Sequence, residues 1–599
     1  MRLQALKLGA LSVIGIVLVA CGGSSSTTTQ SLASDQTLKF PIFGEFGTLD
    51  PGQLDAEVDS EIAQNIFNGP LRYDNNLNII PDIATDVPTT SNGGISSDGL
   101  TYTFKLRKDV TFSNGDKVTA KDMIYSWNRA AALQGPYGSN LSAIAGYSAV
   151  TKYTKGLKPS KKADVTAKAA FNKTVEDALA ANDPKVMMTG LTSPDANTVV
   201  GKLDSAAGWF LSAVTLESTT GMIVDQKVIQ TNPRDWWTVP ATLVGTGPFK
   251  MTQHTAKQSA DFVSVPNWWG SPKPTLKAVH LDILDPSSQS TAIASFEQGK
   301  YDIVGYGGWS SQPKADILRI QQTANEKSQL LLQPKVRTTW VSFNVNPAHP
   351  AGGPFTVDKG QKAKDLRTAF ALAVDKSKLQ SVVCQNITCS AATGGLITKG
   401  LKGYLGDGTD PLGKFDATKA KQLLTGADPT GTLTAGLKYS YNTGSPNDDV
   451  ATFLQDQWKT NLGINVGLDP HPDATAFIND RQAGKFVLAR DGWQADYDHP
   501  QDWFDNLWGK MAEDSTANTS GYAPNASDQY NVLLTKADAE PLDKALPTYK
   551  QISELLSTDV VDIPLYYSVG QFLFKPYAKG AGTNNFFDHF WNEISILQH

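Results

Sequence analysis

The segment from Ala489 to Pro500 contains the side chains best suited to bind a ligand. It brings a guanidinium, an indole, an amide and a carboxylate together on Arg490, Trp493, Gln494 and Asp496. An apolar strand is predicted just before it, at Phe486 to Leu488, and a helix just after it, from Trp503 to Trp508. Because α/β folds usually place ligands at the ends of strands, this segment is the first candidate for a binding site.

Each of these side chains also has a purely structural interpretation. Asp496 could cap a helix or stay exposed to solvent, and Trp493 could wall a side-chain pocket or belong to the core. Arg490 could meet a ligand carboxylate or form a structural ion pair. Gly492 permits the close approach of another backbone. The residues alone leave these alternatives open.

No motif in the sequence predicts catalysis or a metal site. The His-Glu-x-x-His pattern of zinc proteases and the Gly-x-Ser-x-Gly elbow of serine hydrolases are both missing from the sequence. His471 and His499 are isolated along the chain, and three cysteines cannot form a multi-cysteine zinc or iron–sulfur framework. We therefore expect no cofactor, no bound metal and no enzymatic activity.

Length and composition limit the class of protein. The 599 residues are 40% hydrophobic and 19% charged, which excludes a wholly disordered chain and a polytopic membrane protein. The formal net charge of −6 argues against a nucleic-acid partner, because phosphate contacts need a basic surface.

The N-terminus predicts export and a lipid anchor. Arg2 and Lys7 precede an apolar run from Leu8 to Ala20, which is too short to span a membrane and fits a signal peptide. The run ends in Leu-Val-Ala-Cys, which looks like a bacterial lipoprotein cleavage box with Cys21 as the lipidated residue. A Gly/Ser/Thr-rich tether follows at 22–30. The alternative is an ordinary secretory signal with a chance cysteine.

The remaining cysteines, Cys384 and Cys389, are five residues apart. An exported protein meets an oxidising compartment, so a short-loop disulfide is expected, and its role would be local bracing. The alternative is two reduced thiols near the end of a helix.

Local patterns predict alternating short strands and helices. Alternation predicts strands at Leu38 to Ile42, Leu100 to Leu106 and Val110 to Phe112. A helix is predicted from Ser60 to Phe67, and another begins at Thr119 as N-cap, with Asp122 three residues later. Later in the chain we expect a strand from Trp340 to Val345, a helix from Asp448 to Trp458 and a strand from Gly463 to Leu468.

These segments resemble a known family, the extracellular solute-binding proteins of peptide ABC importers. The resemblance rests on short motifs in consistent order, from about residue 37 to the end of the chain. They include Thr48-Leu49-Asp50-Pro51, Asp98 to Lys108, Phe112-Ser113-Asn114-Gly115, Thr119 to Asp122, Tyr125 to Arg129, Gly245 to Phe249, Asn267 to Gly270, Phe296 to Asp302, Leu366 to Asp375, Phe415 to Leu424 and Ile563 to Tyr567. The region from about Tyr147 to Val199 resembles the family poorly.

The resemblance implies an α/β fold of the periplasmic-binding-protein type (type II, three-domain cluster), with two lobes, a hinge and an extra inserted domain. Residues 1–20 would be the signal peptide, and 21–36 the lipidated cysteine with its tether. Domain I would combine 37–80, 232–335 and 560–599. Domain II would be 81–231, and domain III 336–559.

The resemblance also implies roles for site residues. Asp496, in a Trp-x-Ala-Asp-Tyr context, would form a salt bridge with the α-ammonium of a peptide, a group that every peptide has. The backbone from Gly492 to Gln494 would pair with the ligand like an added strand. Tyr306, Trp309 and Tyr137 are further cleft candidates, although the family places polar residues at the first two positions. Ser568 stands where close relatives have a third tyrosine.

The sequence therefore predicts a lipid-anchored, extracytoplasmic receptor that captures oligopeptides and delivers them to the permease of an ABC importer. We expect a monomer without nucleic-acid partners, on the outer face of the cell membrane or in the periplasm. The same fold could instead bind a dipeptide, a nickel complex or an oligosaccharide. A secreted hydrolase is the alternative from another class.

Overall fold

The structure is a computed structural model, and it describes residues 31–54, 56–159, 164–305, 312–514, 518–582, 586 and 590–599. Three predicted features lie outside these residues: the signal peptide, Cys21, and the cleft candidates Tyr306 and Trp309.

The strands, numbered in chain order, are β1 (Thr37–Phe43), β2 (Leu71–Tyr73), β3 (Ile79–Pro81), β4 (Thr101–Lys105), β5 (Leu191–Asp195), β6 (Thr198–Lys202), β7 (Phe249–Thr255), β8 (Ser259–Ser264), β9 (Ala278–Leu284), β10 (Ile303–Val304), β11 (Leu330–Phe343), β12 (Cys389–Ala391), β13 (Lys438–Asn442), β14 (Gly467–His471), β15 (Leu488–Gln494), β16 (Asp562–Phe574), β17 (Ala578–Lys579) and β18 (Ser595–Ile596).

The helices are α1 (Glu57–Ala63), α2 (Ala120–Leu133), α3 (Tyr147–Lys155), α4 (Val165–Ala180), α5 (Phe210–Ala213), α6 (Gln226–Thr231), α7 (Gln289–Glu297), α8 (Lys314–Gln322), α9 (Ala324–Lys327), α10 (Gly360–Leu372), α11 (Lys376–Lys378), α12 (Ala417–Ala427), α13 (Asn447–Leu462), α14 (Ala474–Gln482), α15 (Pro500–Leu507), α16 (Lys510–Asp514), α17 (Gln529–Ala539) and α18 (Leu542–Asp559). Short 3-10 or π turns are at Gly138–Leu141, Pro184–Val186, Val357–Lys359, Leu379–Val383, Pro411–Gly413 and Trp591–Glu593.

The start and middle of the described chain share one sheet, and the end of the chain joins them in one core. The strand order of this sheet is β1-β9-β8-β7, with β1 parallel to β9. Leu38 and Phe40, two of the alternating apolar residues that predicted β1, are completely buried. Trp591, near the C-terminus, packs edge-on against Phe40 at 6.2 Å and Phe262 at 5.1 Å between ring centroids. Burial of these aromatic rings fixes the C-terminal segment on the first strand.

A buried ion network joins a second, smaller sheet (order β4-β6-β5) and its helices to the first segment. The predicted cap of α2 is present, since the Thr119 N–H donates to Asp122 Oδ2 at 2.8 Å. Further along α2, Arg129 pairs with Asp50 and with Glu176, each at 2.6 Å. Asp50 belongs to the Thr-Leu-Asp-Pro motif, so one role of this motif is to hold α2 against the first segment of the chain.

The largest sheet has the order β10-β16-β11-β15-β13-β14, with β12 beside β16. Its long strands β11 and β16 are antiparallel, from the pair Leu330–Leu573 to the pair Ser342–Asp562. β11 crosses the boundary predicted between domains I and III at residue 335. A second hydrophobic core, which includes Phe370 and Trp458, covers this part of the sheet. The exact domain boundaries stay a prediction.

Two of the predicted strands that differ from the structure do so for local reasons. Residues 110–112 form no strand: Phe112 N–H donates to Asp116 O and Thr111 makes only a single bridge to Lys117. The turn at Asn114-Gly115 follows Phe112 so closely that no longer ladder of strand hydrogen bonds can form. The strand expected from Gly463 begins at Gly467 instead, because Gly463, with φ +79°, caps the C-terminus of α13.

Candidate functional site

Two adjoining cavities form a cleft between α1 and the face of the largest sheet. The first is about 500 Å³, and its acidic residues are Glu57, Glu61, Glu217 and Asp496; we call it the acidic cavity. The second is about 510 Å³, and its basic residues are Lys335, Arg337, Arg481 and Arg490; we call it the basic cavity. Arg337, Ile478 and Gln494 line both, so the cavities are continuous.

Alternate residues of β15 line the basic cavity. Arg490, Gly492 and Gln494 line it, whereas Asp491 and Trp493 lie on the opposite face of the sheet, as the period of two in a strand requires. The sequence predicted a strand at Phe486 to Leu488, whereas the observed strand is Leu488–Gln494, so the predicted position is wrong. Polar residues face the cleft along β15, so the apolar alternation that marks a strand is missing there.

The neighbouring strands β11 and β16 line the basic cavity with the same face of the sheet as Arg490, Gly492 and Gln494 of β15. β11 contributes Lys335, Arg337 and Thr339, and β16 contributes Tyr566 and Ser568. In the sheet, Thr339 lies opposite Gly492 on one side and opposite Tyr566 on the other. The floor of the cavity is thus built from rigid strands. Ser568, noted in the sequence as a departure from close relatives, is part of it.

Helix α14 forms another wall of the cleft. Ala474, Ile478 and Arg481 follow one another at helical spacing and line the basic cavity together. Ile478 is 41% exposed, which is unusual for an isoleucine and follows from its position between the two cavities. Arg481 points from this helix to β15, where it pairs with Asp491 at 2.7 Å.

Gly492 is required by the sheet itself. A Cβ atom at this position would lie 2.9 Å from the backbone oxygen of Thr338 on β11, which is closer than real Cβ contacts. The close approach that was expected at this glycine is therefore to the neighbouring strand.

Trp493 is a packing residue in the structure. It is half-buried against the core cluster that contains Trp503 and Trp508, and it does not line either cavity in the described part of the cleft. Its indole Nε1 donates a hydrogen bond to Asp502 Oδ2 at 3.1 Å. Trp493 could have walled a ligand pocket or belonged to the core, and this geometry supports a place in the core.

Asp496 lies two residues beyond the end of β15 and lines the acidic cavity. Its backbone N–H donates to Asp502 Oδ2 at 3.1 Å, the same oxygen that accepts from Trp493. Burial raises the pKa of Asp502 well above its usual value, and the charge of Asp496 raises it further. Asp502 thus fixes the backbone of the loop, and the half-buried side chain of Asp496 is left on the cleft side.

Tyr137 lines the acidic cavity from the opposite wall. Its backbone oxygen accepts a hydrogen bond from Thr220 Oγ1 at 2.9 Å, which fastens the loop before the turn at Gly138–Leu141. The structure thus brings Tyr137, Asp496 and Gln494 to one cavity, and Arg490 and Gly492 to the next.

Several cleft residues escaped the sequence analysis. Glu57, Glu217, Arg337 and Arg481 come from segments far apart in the chain, and none belongs to a recognisable local motif. One signal was present: Lys335 and Arg337 alternate with buried residues at 336 and 338, as expected for a strand with a charged face.

The electrostatics of the basic cavity reflect first the burial of its guanidinium groups and then the charges around them. Burial lowers the pKa of Arg337 to about 10, and the nearby charge of Arg490 is the next cause. Burial also lowers the pKa of Arg481, which Asp491 partly offsets. Arg490 Nη1 donates to the neutral amide oxygen of Asn442 at 3.2 Å.

Cys384 and Cys389 form a disulfide beside the basic cavity. Cys384 and Thr388 line the cavity, and Cys389 pairs with Ser568 between β12 and β16. The bond therefore closes a short loop on the cavity wall.

Within the described ranges, no group of three or more His, Cys, Asp or Glu side chains is arranged to hold a metal ion. Over the same residues, no helix has the length and apolarity needed to cross a membrane.

Comparison with known sequences gives matches along most of the chain. The profile described as "Bacterial extracellular solute-binding proteins, family 5 Middle" matches residues 78–514. The chain is 25% identical to the periplasmic oligopeptide-binding protein OppA of Escherichia coli (strain K12), over 95% of this chain and 94% of that protein. It is 24% identical to the oligopeptide-binding protein OppA of Bacillus subtilis (strain 168), over 95% of each.

Solved structures share the fold. The unliganded open form of the periplasmic murein tripeptide binding protein MppA superposes with a TM-score of 0.73 and 22% identity, over 95% of this chain and 99% of that one. Peptide-bound OppA of Listeria monocytogenes superposes with a TM-score of 0.65 and 20% identity, over 95% and 100%.

Proposed function

Because the chain belongs to family 5 of the bacterial extracellular solute-binding proteins, we propose that it captures oligopeptides outside the cytoplasm and delivers them to an ABC importer. Proteins of this family bind solutes for ABC transporters, and the chain is a binding protein and not an enzyme. The predicted fold class, an α/β periplasmic-binding-protein fold of type II, is confirmed.

The observation that carries the proposal is the charge polarity of the cleft. Acidic residues line one cavity and basic residues line the adjoining one. A peptide has an ammonium group at one end and a carboxylate at the other, so an extended peptide matches this polarity in one orientation. Cavities of about 500 and 510 Å³ in series suit a short peptide better than a single small solute.

We assign the peptide ammonium to Asp496. Its carboxylate stands on a loop fixed by Asp502 and is surrounded by further acidic residues of the cavity, including Glu57 and Glu217. A cation enclosed in a cleft loses hydration and needs a charged partner, which a half-buried carboxylate supplies.

The peptide backbone would pair with β15. β13 contacts β15 at one residue pair, Ser440–Ala489. Among the described strands, β15 from Arg490 to Gln494 therefore has a partner on one side only, β11. An added strand on the other side would gain main-chain hydrogen bonds that do not depend on the ligand's side chains. This supports the roles predicted for Gly492 and Gln494.

The remaining parts of the proposal come from the sequence. A lipid on Cys21 would hold a monomeric receptor at the outer face of the membrane, and the permease would be a separate chain. Closure of domains I and III by a hinge would enclose the ligand.

Native mass spectrometry of the purified protein tests this proposal. We expect intact peptides of several residues, bound at one per protein. A co-purified sugar, metal complex or dipeptide would favour the same fold with another solute. Turnover of added peptides by catalytic amounts of protein would favour a hydrolase instead.

A further inference from the structure

Tyr73 is hydrogen-bonded to two segments that line the acidic cavity. This residue ends β2, and it is completely buried. Its backbone N–H donates to Glu217 Oε1 at 2.8 Å, and Glu217 lines the cavity from the loop after α5. Its phenol oxygen accepts a hydrogen bond from the Asp498 backbone N–H at 3.1 Å. Asp498 is two residues from Asp496, so Tyr73 joins the segments that carry two carboxylates of the cavity.

Lys402 holds the same segment through its backbone and its side chain. Its N–H donates to Asp498 Oδ1 at 2.7 Å, and its Nζ donates to Oδ2 at 2.9 Å. The Nζ also donates to the carbonyl oxygen of Leu77 at 2.9 Å, in the turn between β2 and β3. It lies 5.9 Å from the centre of the Tyr73 ring. Tyr73, Lys402 and Asp498 thus form one connected group, which we call the Tyr73 cluster.

The segment that carries Asp496 is held at two points. The Asp496 N–H donates to Asp502 Oδ2, and the Asp498 N–H donates to Tyr73. Asp502 is only six residues from Asp496, so the first bond shapes the loop locally. Tyr73 is 425 residues from Asp498 in the sequence. The second bond therefore fixes the loop relative to β2 and to the segment of Glu217.

The Tyr73 cluster is stable only when its members are all present. The Asp498 side chain is 2% exposed, and that of Lys402 is 34% exposed. Burial raises the pKa of the Asp498 carboxyl, and the charge of Lys402 lowers it. A buried carboxylate without its cation is strongly disfavoured, and so is a buried N–H without an acceptor. Loss of either partner should therefore make the segment move rather than keep its place.

We propose that Tyr73 and Lys402 are positioning residues for the ammonium site, which hold the segment from Asp496 to Asp498 so that the Asp496 carboxylate is oriented before the ligand binds. This inference rests on the proposed function and deepens it, because it names the residues that set how strongly the N-terminus of a peptide is recognised. A charged group that is held in place by its neighbours loses less free energy to ordering when the ligand arrives.

Tyr73→Phe separates positioning from packing. It keeps the ring and the backbone N–H that donates to Glu217, and it removes the acceptor of the Asp498 N–H. Tyr102→Phe is the matched control. The Tyr102 hydroxyl is also buried and donates to a backbone oxygen, that of Ala207, at 3.2 Å, but Tyr102 belongs to β4 of the smaller sheet.

Calorimetric titration with tetra-alanine and with its N-acetylated form measures the preference of each protein for a free ammonium. We expect Tyr73→Phe to lower this preference about fivefold or more, and Tyr102→Phe to leave it within about twofold of the unmodified protein. A residue that only stabilises the fold would lower the melting temperature and leave this ratio of affinities unchanged. Retention of the full preference by Tyr73→Phe would overturn the assignment of Tyr73.

Lys402 supplies a second arm that does not require a change at a fully buried residue. Lys402→Met should lower the preference about as much as Tyr73→Phe, whereas Lys402→Arg keeps a cation beside Asp498 and should keep most of the preference. Lys399→Met is the control, because Lys399 pairs with Asp407 at 2.6 Å and both side chains are exposed. Full preference in Lys402→Met, or an equal loss in Lys399→Met, would overturn the inference.

The unmodified protein separates this inference from the proposed function. If it binds and prefers the free-amine peptide while the variants keep that preference, the positioning role is wrong and the proposed function stands. If it binds neither peptide, the proposed function is contradicted together with this inference. Equal binding of both peptides by the unmodified protein would contradict the assignment of Asp496 and the positioning role with it.

Discussion

Lys335 Nζ lies 3.4 Å from Glu57 Oε1, at the junction of the acidic and basic cavities. Glu57 belongs to α1 and Lys335 to β11, so the ion pair joins two walls of the cleft. Both side chains are largely buried, with 13% and 8% exposure. Their charges offset each other at the junction, and the polarity of the cleft therefore lies further out, around Asp496 on one side and Arg490 on the other.

Asp562 should make stability depend on pH. Burial raises the pKa of this carboxyl to about 8, and the charge of Asp491 contributes. The folded protein keeps this proton at pH values where the unfolded chain has lost it. The stabilisation is thus complete below pH about 4 and is lost as the pH rises to about 8, by about 1.4 kcal/mol per pH unit.

Urea unfolding at pH 5, 6 and 7 measures this effect. Asp562→Asn is neutral at every pH, so its free energy of unfolding should fall less steeply over this range than that of the unmodified protein. Asp543→Asn, at an exposed position, is the control and should keep the original slope. Parallel slopes for Asp562→Asn and the unmodified protein would show that Asp562 carries its charge in the folded state.

Gly492→Ala should destabilise the sheet. The added Cβ would meet the Thr338 backbone oxygen at 2.9 Å, and strand backbone cannot move aside cheaply. We expect a loss of about 1–3 kcal/mol in the free energy of unfolding, as for other overpacked sites. Gly426→Ala, in α12 with nothing within 4 Å of the new Cβ, should be neutral or slightly stabilising. Equal stability of the two variants would contradict the close approach of β11 and β15.

Arg129→Met should lower the free energy of unfolding by about 3–5 kcal/mol, because it leaves Asp50 and Glu176 buried without their cation. Arg319→Met removes an arginine from exposed ion pairs and should cost less than about 1 kcal/mol. Denaturant unfolding of both variants gives the comparison. A similar small loss for both would mean that the Arg129 network does not hold α2 to the first segment.

The sequence predicted those elements whose signals are local. The alternation in β1 and the cap of α2 at Thr119 and Asp122 are each contained within a few residues, and both are present in the structure. A strand was predicted at Phe486 to Leu488, but β15 is at Leu488–Gln494. Its extent was missed because Arg490, Gly492 and Gln494 face the cleft and carry no apolar signal.

Apart from Tyr137, the described cavity residues that were predicted all come from one segment, Arg490 to Asp496. Asp496 was found through its local context, whereas Glu57, Glu217 and Arg337 reach the same cavity from α1, from the loop after α5 and from β11. None of these three charged residues belongs to a local motif that would distinguish it from an ordinary surface residue in the sequence. Only the three-dimensional arrangement shows that the cleft has an acidic and a basic end.

The role of Asp496 is tested by calorimetric titration with a free-amine tetrapeptide and with its N-acetylated form. Both peptides are titrated into the unmodified protein and into Asp496→Asn. Acetylation removes the ammonium charge and should weaken binding to the unmodified protein by about 2–5 kcal/mol. Asp496→Asn should weaken binding of the free peptide to a similar extent. In this variant, acetylation of the peptide should weaken binding little further. The melting temperature of the unliganded variant should stay close to that of the unmodified protein. Equal affinity of the unmodified protein for both peptides would contradict the assignment of Asp496 as the ammonium anchor.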